Sequence, residues 1–402
     1  MPAKVHEAQA LQQVVVVVVT SNMKIHALFF YSLLYSLLIF QSATAAVLPE
    51  ERVDVLYHRY DGGGITIDGP SVLVRKNFAD KVSISANYYV DNITSASIDA
   101  VTQASPYTEK RVQKSIGADY LNDKSTLSYS YTTSVENDFD ATTHSFGISQ
   151  EMFGSMTTVT LSYSLGDNIV TQTGVDTFLE TSKFNDFRSS ISQVLTKNLI
   201  MSITYDIITD EGFLNNPYRN IRYIDPNDSS QYLFQRELYP ETRTSNAASI
   251  GLRYFMPYRA AIFGSYRYFT DSWGIKADTM EIGYVHPLED KWTFETSLRY
   301  YTQTQANFYS DLFPFADPAN VYARDKELST FTDVSLGIGI TYEFESDNLY
   351  FFERGSANLF YTYFTFDYDN FRDIRVDTNV PGTEPLYSFT AGVTRLYFSF
   401  WF

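Results

Sequence analysis

The chain has 402 residues, 32 of them Tyr and 31 Phe, and no Cys; that length holds two or three soluble domains or one large barrel. A mean hydropathy of −0.19 excludes a bundle of transmembrane helices, each of which needs about 20 consecutive apolar residues. The formal net charge of −17 repels phosphate backbones, so nucleic acid is not an expected partner.

A large content of Tyr and Phe suits strands, where rings pack on a pleated surface. The lack of Cys is compatible with an oxidising compartment but does not establish one. A β-barrel crosses a membrane without long apolar runs, because apolar and polar residues alternate along each strand.

From Met23 the chain reads MKIHALFFYSLLYSLLIFQSATAAVLPE. Lys24 supplies positive charge, Ala27 to Phe40 an apolar core of 14 residues, and Ala43-Thr44-Ala45 a cleavage site. That is the order of a secretory signal peptide, with a core too short for a spanning anchor. Residues 23–45 are thus an expected signal peptide, and 1–22, with Val14 to Val19 in a row, an upstream extension or mis-start. Segment 46–402 then keeps 28 basic and 46 acidic residues, a balance of −18.

Beyond residue 51 a period of two recurs to the C-terminus. The clearest run is Val334, Leu336, Ile338, Ile340, Tyr342 and Phe344, interleaved with Ser335, Gly337, Gly339, Thr341 and Glu343. The pattern predicts strands at 51–60, 70–78, 82–92, 110–122, 125–136, 140–153, 157–168 and 180–196. It continues with 199–209, 242–256, 260–273, 275–288, 291–305, 328–344, 355–370 and 387–402. The expected fold is all-β: a transmembrane antiparallel up-and-down barrel of 16 strands, an even number as bacterial single-chain barrels have, or 14 if the first two lie outside the wall.

Loop lengths give an independent check. Connections after even strands are tight, as at Asn122-Asp123-Lys124 and Thr196-Lys197-Asn198. Those after odd strands include long ones near 93–109, 169–179, 210–241, 306–327 and 371–386. Short periplasmic turns opposite long extracellular loops are the barrel signature, with both termini in the periplasm. Two connections fit less well: 345–354 is long for a turn, and 137–139 is short for an outer loop.

The last strand ends YSFTAGVTRLYFSFWF, with Phe398, Phe400 and Phe402 on one face. An aromatic C-terminus of this kind resembles the signal read by the barrel insertion machinery. A strand closing a soluble sandwich is the plainer alternative, and the signal peptide and loop parity weigh against it.

In a barrel the outward residues meet lipid and the rims carry aromatic rings; Tyr57, Tyr88, Tyr129, Tyr131, Tyr254, Trp292, Tyr300 and Trp401 are the expected girdle. Alternation points Arg253, Glu295, Arg299, Asp333, Glu343 and Arg395 into the lumen. There they form either a hydrated wall of compensating charges or a field that selects among solutes. Arg219, Arg222, Arg236, Arg243, Arg324 and Lys326 make a basic constriction if the two longest loops fold inward. The simpler expectation pairs them with nearby acids or with lipopolysaccharide phosphates.

Enzyme chemistry finds little support. After export only His58, His144 and His286 remain, none at a spacing that suggests a metal pair. His144 and His286 share the parity of lipid-facing neighbours, while the parity of His58 is ambiguous. Asp138 and Asp140 beside His144 form an acidic dyad on paper, though turn carboxylates are usually just solvated. The Gly cluster from Asp61 to Pro70 lacks the Lys of a phosphate loop. It reads as a flexible outer turn, with a calcium site from Asp61 and Asp68 as the rival reading. No cofactor, metal site or catalytic residue is expected.

The stretch YHRYDGGGITIDGPSVLVRKNFADKVSISANYYVDNITSASID (57–99) resembles the DUF3570 family of bacterial proteins. So do NPYRNIRY (216–223), the run from 239 to 275, RYYTQTQANFYSD (299–311) and ARDKEL (323–328). The resemblance implies an outer-membrane-barrel-like protein but transfers no activity and no catalytic residue. Its genomic associations imply lipoprotein, flavin-attachment or thioredoxin-like neighbours, hence a periplasmic or lipoprotein partner in an extracytoplasmic redox system. The expectation is a porin-like channel in the outer membrane, touching lipid and lipopolysaccharide; a non-conducting scaffold is the alternative, and a rim hydrolase the third reading.

Overall fold

The computed structural model describes residues 47–95, 107–345 and 351–402. The expected signal peptide and the segment before it lie outside the described residues.

The strands are β1 (Arg52–Gly62), β2 (Ile65–Phe78), β3 (Val82–Ser95), β4 (Tyr107–Asn122), β5 (Ser125–Val135), β6 (Phe139–Met152), β7 (Thr157–Thr171), β8 (Leu179–Thr196) and β9 (Leu199–Gly212). After a short hairpin of β10 (Asn220–Asp225) and β11 (Asp228–Arg236) come β12 (Thr242–Phe255), β13 (Ala261–Asp271), β14 (Lys276–Leu288), β15 (Trp292–Gln303), β16 (Phe331–Glu345), β17 (Arg354–Arg372) and β18 (Leu386–Trp401). All but β10 and β11 form one closed antiparallel barrel of 16 strands, in chain order. Closure is made by β1 against β18, from Arg52↔Trp401 to Gly62↔Ala391. The first two strands are therefore part of the wall, and the 14-strand alternative is excluded.

A closed barrel leaves no unpaired strand edge, and the alternation sorts its two faces. On β16, Leu336 and Ile338 are more than half exposed, while Asp333 and Ser335 on the opposite parity are buried. From Val334 to Tyr342 the outward face of β16 is apolar without interruption. At about 3.3 Å per residue this run is about 26 Å long; tilted by about 40°, it covers about 20 Å of the ~25 Å apolar band of an outer-membrane wall.

Tight turns close one end. Several hold non-Gly residues at positive φ, among them Asp80 (55°), Asp123 (56°), Phe153 (54°) and Glu289 (56°). The Asp123-Lys124 turn has two residues, those at Asp80 and Glu289 three and that at Phe153 four, and short hairpin loops use such left-handed positions to match strand twist. Long connections occupy the other end, so the parity read from the sequence holds.

Three details correct the expectations. The outer turn between β1 and β2 is only Gly63 and Gly64 (φ 61° and 82°), and pairing resumes at once with Gly62↔Ile65. Ile65 and Ile67 are buried toward the lumen, so most of the Gly-rich stretch is strand. Gly69 stands inside that strand because a Cβ there would lie 1.8 Å from the carbonyl oxygen of Val90. Second, Trp401 is not a girdle residue: with Phe398 outward, parity turns Trp401 to the lumen, where the Arg354 guanidinium lies 4.3 Å from its ring. Tyr57, Tyr88, Tyr129, Tyr254, Trp292 and Tyr300 do lie exposed on the outer face. Third, the loop of 213–241 contains the β10–β11 hairpin, expected as irregular chain.

Candidate functional site

The inner wall and the outer mouth carry the polar chemistry of the chain. On β15 and β16, Arg299 donates to Asp333 at 2.7 Å, both on the lumen face. Lower down, Arg253, Glu295 and Arg395 form a second group, Glu295 lying within electrostatic reach of both arginines.

The sequence builds that lower group through strand register. Arg253 pairs with Phe263, and Phe263 with Gly283. On the other side Glu295 pairs with Gly339, Gly339 with Phe360 and Phe360 with Arg395. A Cβ on Gly283 would stand 2.1 Å from the Phe263 ring, and one on Gly339 2.3 Å from the Phe360 ring. Glycine thus lets each ring lie flat along the wall. Each ring then supports a guanidinium, Arg253 at 5.3 Å and Arg395 at 5.4 Å, within cation–π range. Glu343 does not join them; it is exposed near the C-terminal end of β16.

The outer mouth is crossed by folded loops. Arg222, fully buried on β10, donates to both carboxylate oxygens of Glu384 at 2.5 and 3.1 Å and also pairs with Asp311. Arg324 lies 3.1 Å from Asp311 and 4.4 Å from the ring of Phe371. Arg219 pairs with Asp325 at 2.5 Å and with Glu327 at 3.3 Å. On the other side Tyr218 donates to Asp138 of the β5–β6 connection. Six strands, β12 to β17, separate the roots of the Arg222–Glu384 contact, and four, β6 to β9, those of the Tyr218–Asp138 contact. The loop of 213–241 therefore bridges the mouth.

Apolar packing backs these ion pairs. Tyr239, Trp273, Ala306, Tyr309 and Leu328 from the outer connections join wall residues Phe269, Phe331, Phe366 and Tyr368 in one buried cluster. Ile221, Phe313 and Tyr322 form a second. Buried guanidinium–carboxylate pairs offset their desolvation only when hydrogen bonding is nearly complete, and fork geometry achieves this for Arg222. Burial alone raises the Glu384 carboxyl, but the Arg222 hydrogen bonds and the Gly382 amide bring it below the ordinary range. Glu237 behaves oppositely: burial and the neighbouring Asp325 push it up to about 7, against the pull of Arg219, the Tyr239 hydroxyl and the Arg324 amide.

Of the six basic loop residues, Arg219, Arg222 and Arg324 are locked to acids as the simpler expectation had it, and Lys326 is buried. Arg236 hydrogen-bonds Gln172 at 3.2 Å, and Arg243, on the wall rather than in a loop, holds Asp271 at 2.5 Å. The histidines separate. His144 and His286 face outward and accept or donate to Tyr129 (3.0 Å) and Tyr284 (2.7 Å). His58 turns inward, stacks on Tyr89 at 4.8 Å and contacts Asp91 at 2.7 Å, which Arg111 also binds. That inward cluster was missed, because β1 gave no clear parity near Arg59 and Tyr60. Asp138 is not a solvated partner of Asp140: it is buried beneath Tyr218 while Asp140 is exposed. Arg59 stands opposite Asp68 and 3.1 Å from Asp61, so a cation already sits between the two supposed calcium ligands. Among the described residues no group of His, Asp or Glu could hold a metal ion.

A family model described as "Protein of unknown function (DUF3570)" matches residues 100–354. The chain belongs to the DUF3570 family. The stretch 57–99 lies outside the matched residues. A comparison of this DUF3570 chain with curated proteins found no match. Among solved structures it is similar to a bacterial polysaccharide outer membrane secretin (8% identity, 88% of this chain and 99% of that one, TM-score 0.47). It is also similar to the siderophore receptor PirA from Pseudomonas aeruginosa (10%, 82% and 60%, 0.42) and the CymD monoaromatic hydrocarbon channel (8%, 88% and 88%, 0.41).

Proposed function

We propose that this DUF3570 protein is a porin-like channel of the bacterial outer membrane, biased toward particular solutes by its lumen charges and by the loops across its mouth. One observation carries the reading: a closed wall of 16 strands keeps an apolar outer face while facing Arg299, Asp333, Arg253, Glu295 and Arg395 inward. Charges are retained inside a barrel where water or a polar solute meets them. Export by the signal peptide, insertion through Phe398, Phe400 and Phe402, and contact with lipid and lipopolysaccharide belong to the same proposal.

Planar bilayers test it. Conductance steps from the purified protein are expected, small with the loops in place and larger once Arg222 is replaced. No steps from either protein in any salt would end the channel reading.

The bridged mouth favours a second reading, a non-conducting scaffold that holds a periplasmic or lipoprotein partner tied to an extracytoplasmic redox or flavin system. Silent bilayers together with a partner retained on the periplasmic rim would support it. A rim hydrolase is the weakest reading; unchanged hydrolysis after His144→Ala would remove it.

A further inference from the structure

On β13 the lumen face alternates Phe263, Ser265, Arg267 and Phe269. Arg267 is half-buried there, its guanidinium 5.7 Å from the Phe269 ring. Among the described residues it makes no hydrogen bond and no ion pair. The charges that act on it are Asp206, the Tyr301 phenol, Arg188 and Arg299. Asp206, the carboxylate that acts on Arg267, is ion-paired with Arg188; nearby, Asp333 is ion-paired with Arg299, and Glu281 lies within electrostatic reach of Arg299. Asp186 and Asp210 act on the Arg188 side, not on Arg267. Arg267 thus has no carboxylate committed to it, inside a chain whose overall charge is −17.

The geometry points to Arg267 as an oxyanion-binding station in the lumen, taking a carboxylate or phosphate group of a passing solute. This deepens the channel reading and rests on it for its role in transport. A guanidinium keeps its charge at any accessible pH and is costly to desolvate without an acceptor. Its planar fork offers two parallel N–H donors to two oxygens. The Phe269 ring supports the plane by a cation–π contact, and Arg188 and Arg299 add positive potential at the same place. Directly opposite in register stand Ser249 and Thr279, whose hydroxyls can donate to a third oxygen. Ser265, next along the same face toward the periplasm, is exposed, so solvent reaches this level of the lumen.

The test titrates the full chain in detergent with inorganic phosphate and, separately, succinate, by calorimetry. Saturable binding of at least one is expected, roughly ten- to hundredfold weaker in Arg267→Met, as loss of a charged hydrogen-bond pair dictates. Arg267→Lys, which keeps the charge but loses the fork, falls between, and Arg59→Met on the outer face leaves binding unchanged. Heat-modifiable gel migration verifies that each variant is a folded barrel. No saturable binding to wild type, or equal affinity in wild type and Arg267→Met, overturns the proposal. Conductance is read apart from this: a protein that binds phosphate yet never conducts keeps the station and loses the channel, whereas one that conducts without binding does the reverse.

Discussion

Arg222 and Glu384 meet through two hydrogen bonds of 2.5 and 3.1 Å, although their loops root on strands six apart around the barrel. Both groups are almost wholly withdrawn from solvent, and Asp311 completes the shell of the guanidinium. Such a contact works as a latch: it is rigid while complete and costly when half of it is removed.

Arg222→Met leaves Glu384 buried beside an apolar chain, a loss of about 3–5 kcal/mol for a broken buried pair. The wall does not depend on that pair, so heat-modifiable migration stays as in wild type. The loops of 213–241 and 373–385 instead become sensitive to trypsin in folded, detergent-solubilised protein. Unchanged protease resistance would show that apolar packing alone holds the mouth.

The same region carries a pH dependence. Glu237 is raised from 4.5 to about 7, chiefly by burial and then by Asp325. A carboxyl raised in the folded state contributes stability below its unfolded value, and this is lost as pH climbs through the folded one. Glu384 is lowered, so its contribution is present above the unfolded value and lost in acid. The mouth should therefore be firmest in mildly acid buffer, loosening between 4.5 and about 7 through Glu237, and separately in strong acid through Glu384. Amide exchange of the loop of 213–241, corrected for intrinsic rates, reads this directly. Glu237→Gln should abolish the upper limb and leave the acid limb; a retained upper limb assigns it elsewhere.

Most of the wall was legible because one rule governs it: each strand needs an oily face for lipid and a wet one for the lumen. Val334 to Phe344 state that rule without exceptions. β2 starts at Ile65, five residues before the expected 70, because the Gly cluster from Asp61 reads as a flexible turn. Pro70 faces outward, and Gly69 answers a close approach by Val90, which only the fold reveals. Trp401 was misplaced by treating an aromatic at a strand end as girdle without applying the parity of Phe398 and Phe400. The mouth was least legible. Arg222 finds Glu384 across 162 positions of sequence, and no local pattern encodes such a pair. The β10–β11 hairpin did leave a signal, the turn residues Asp225-Pro226-Asn227-Asp228 between two apolar-rich runs.

Lipid contact gives a third prediction. Ile338 lies in the middle of the outward apolar run of β16 and is 56% exposed. Ile338→Arg should cost about 2–4 kcal/mol when the barrel is folded into bilayers, the penalty for a cation at the midplane of a barrel wall. Glu343→Arg, on the inward parity of the same strand and exposed at its end, should stay within about 0.5 kcal/mol, as solvated surface changes do. Reversible urea unfolding from liposomes measures both. Equal costs would mean that the face with Ile338 does not meet acyl chains.

A final prediction concerns the glycines under the lumen rings. Gly339 is paired with Phe360, whose ring a Cβ would meet at 2.3 Å, and the same ring lies 5.4 Å from the Arg395 guanidinium. Gly339→Val cannot be absorbed by a small shift, because the obstacle is the broad face of an aromatic ring held between strands. Overpacking of this kind costs about 1–3 kcal/mol, and the displaced ring should carry Arg395 away from Glu295. Gly264→Ala supplies the contrast: its nearest atom, the Glu281 carbonyl oxygen, would be 3.6 Å away, an ordinary contact. Adding Phe360→Ala to Gly339→Val should restore part of the lost urea stability by removing the obstacle. If the double variant is instead less stable by the full sum of the two single changes, the ring and the glycine are not energetically coupled, and the flat-ring support for Arg395 is wrong.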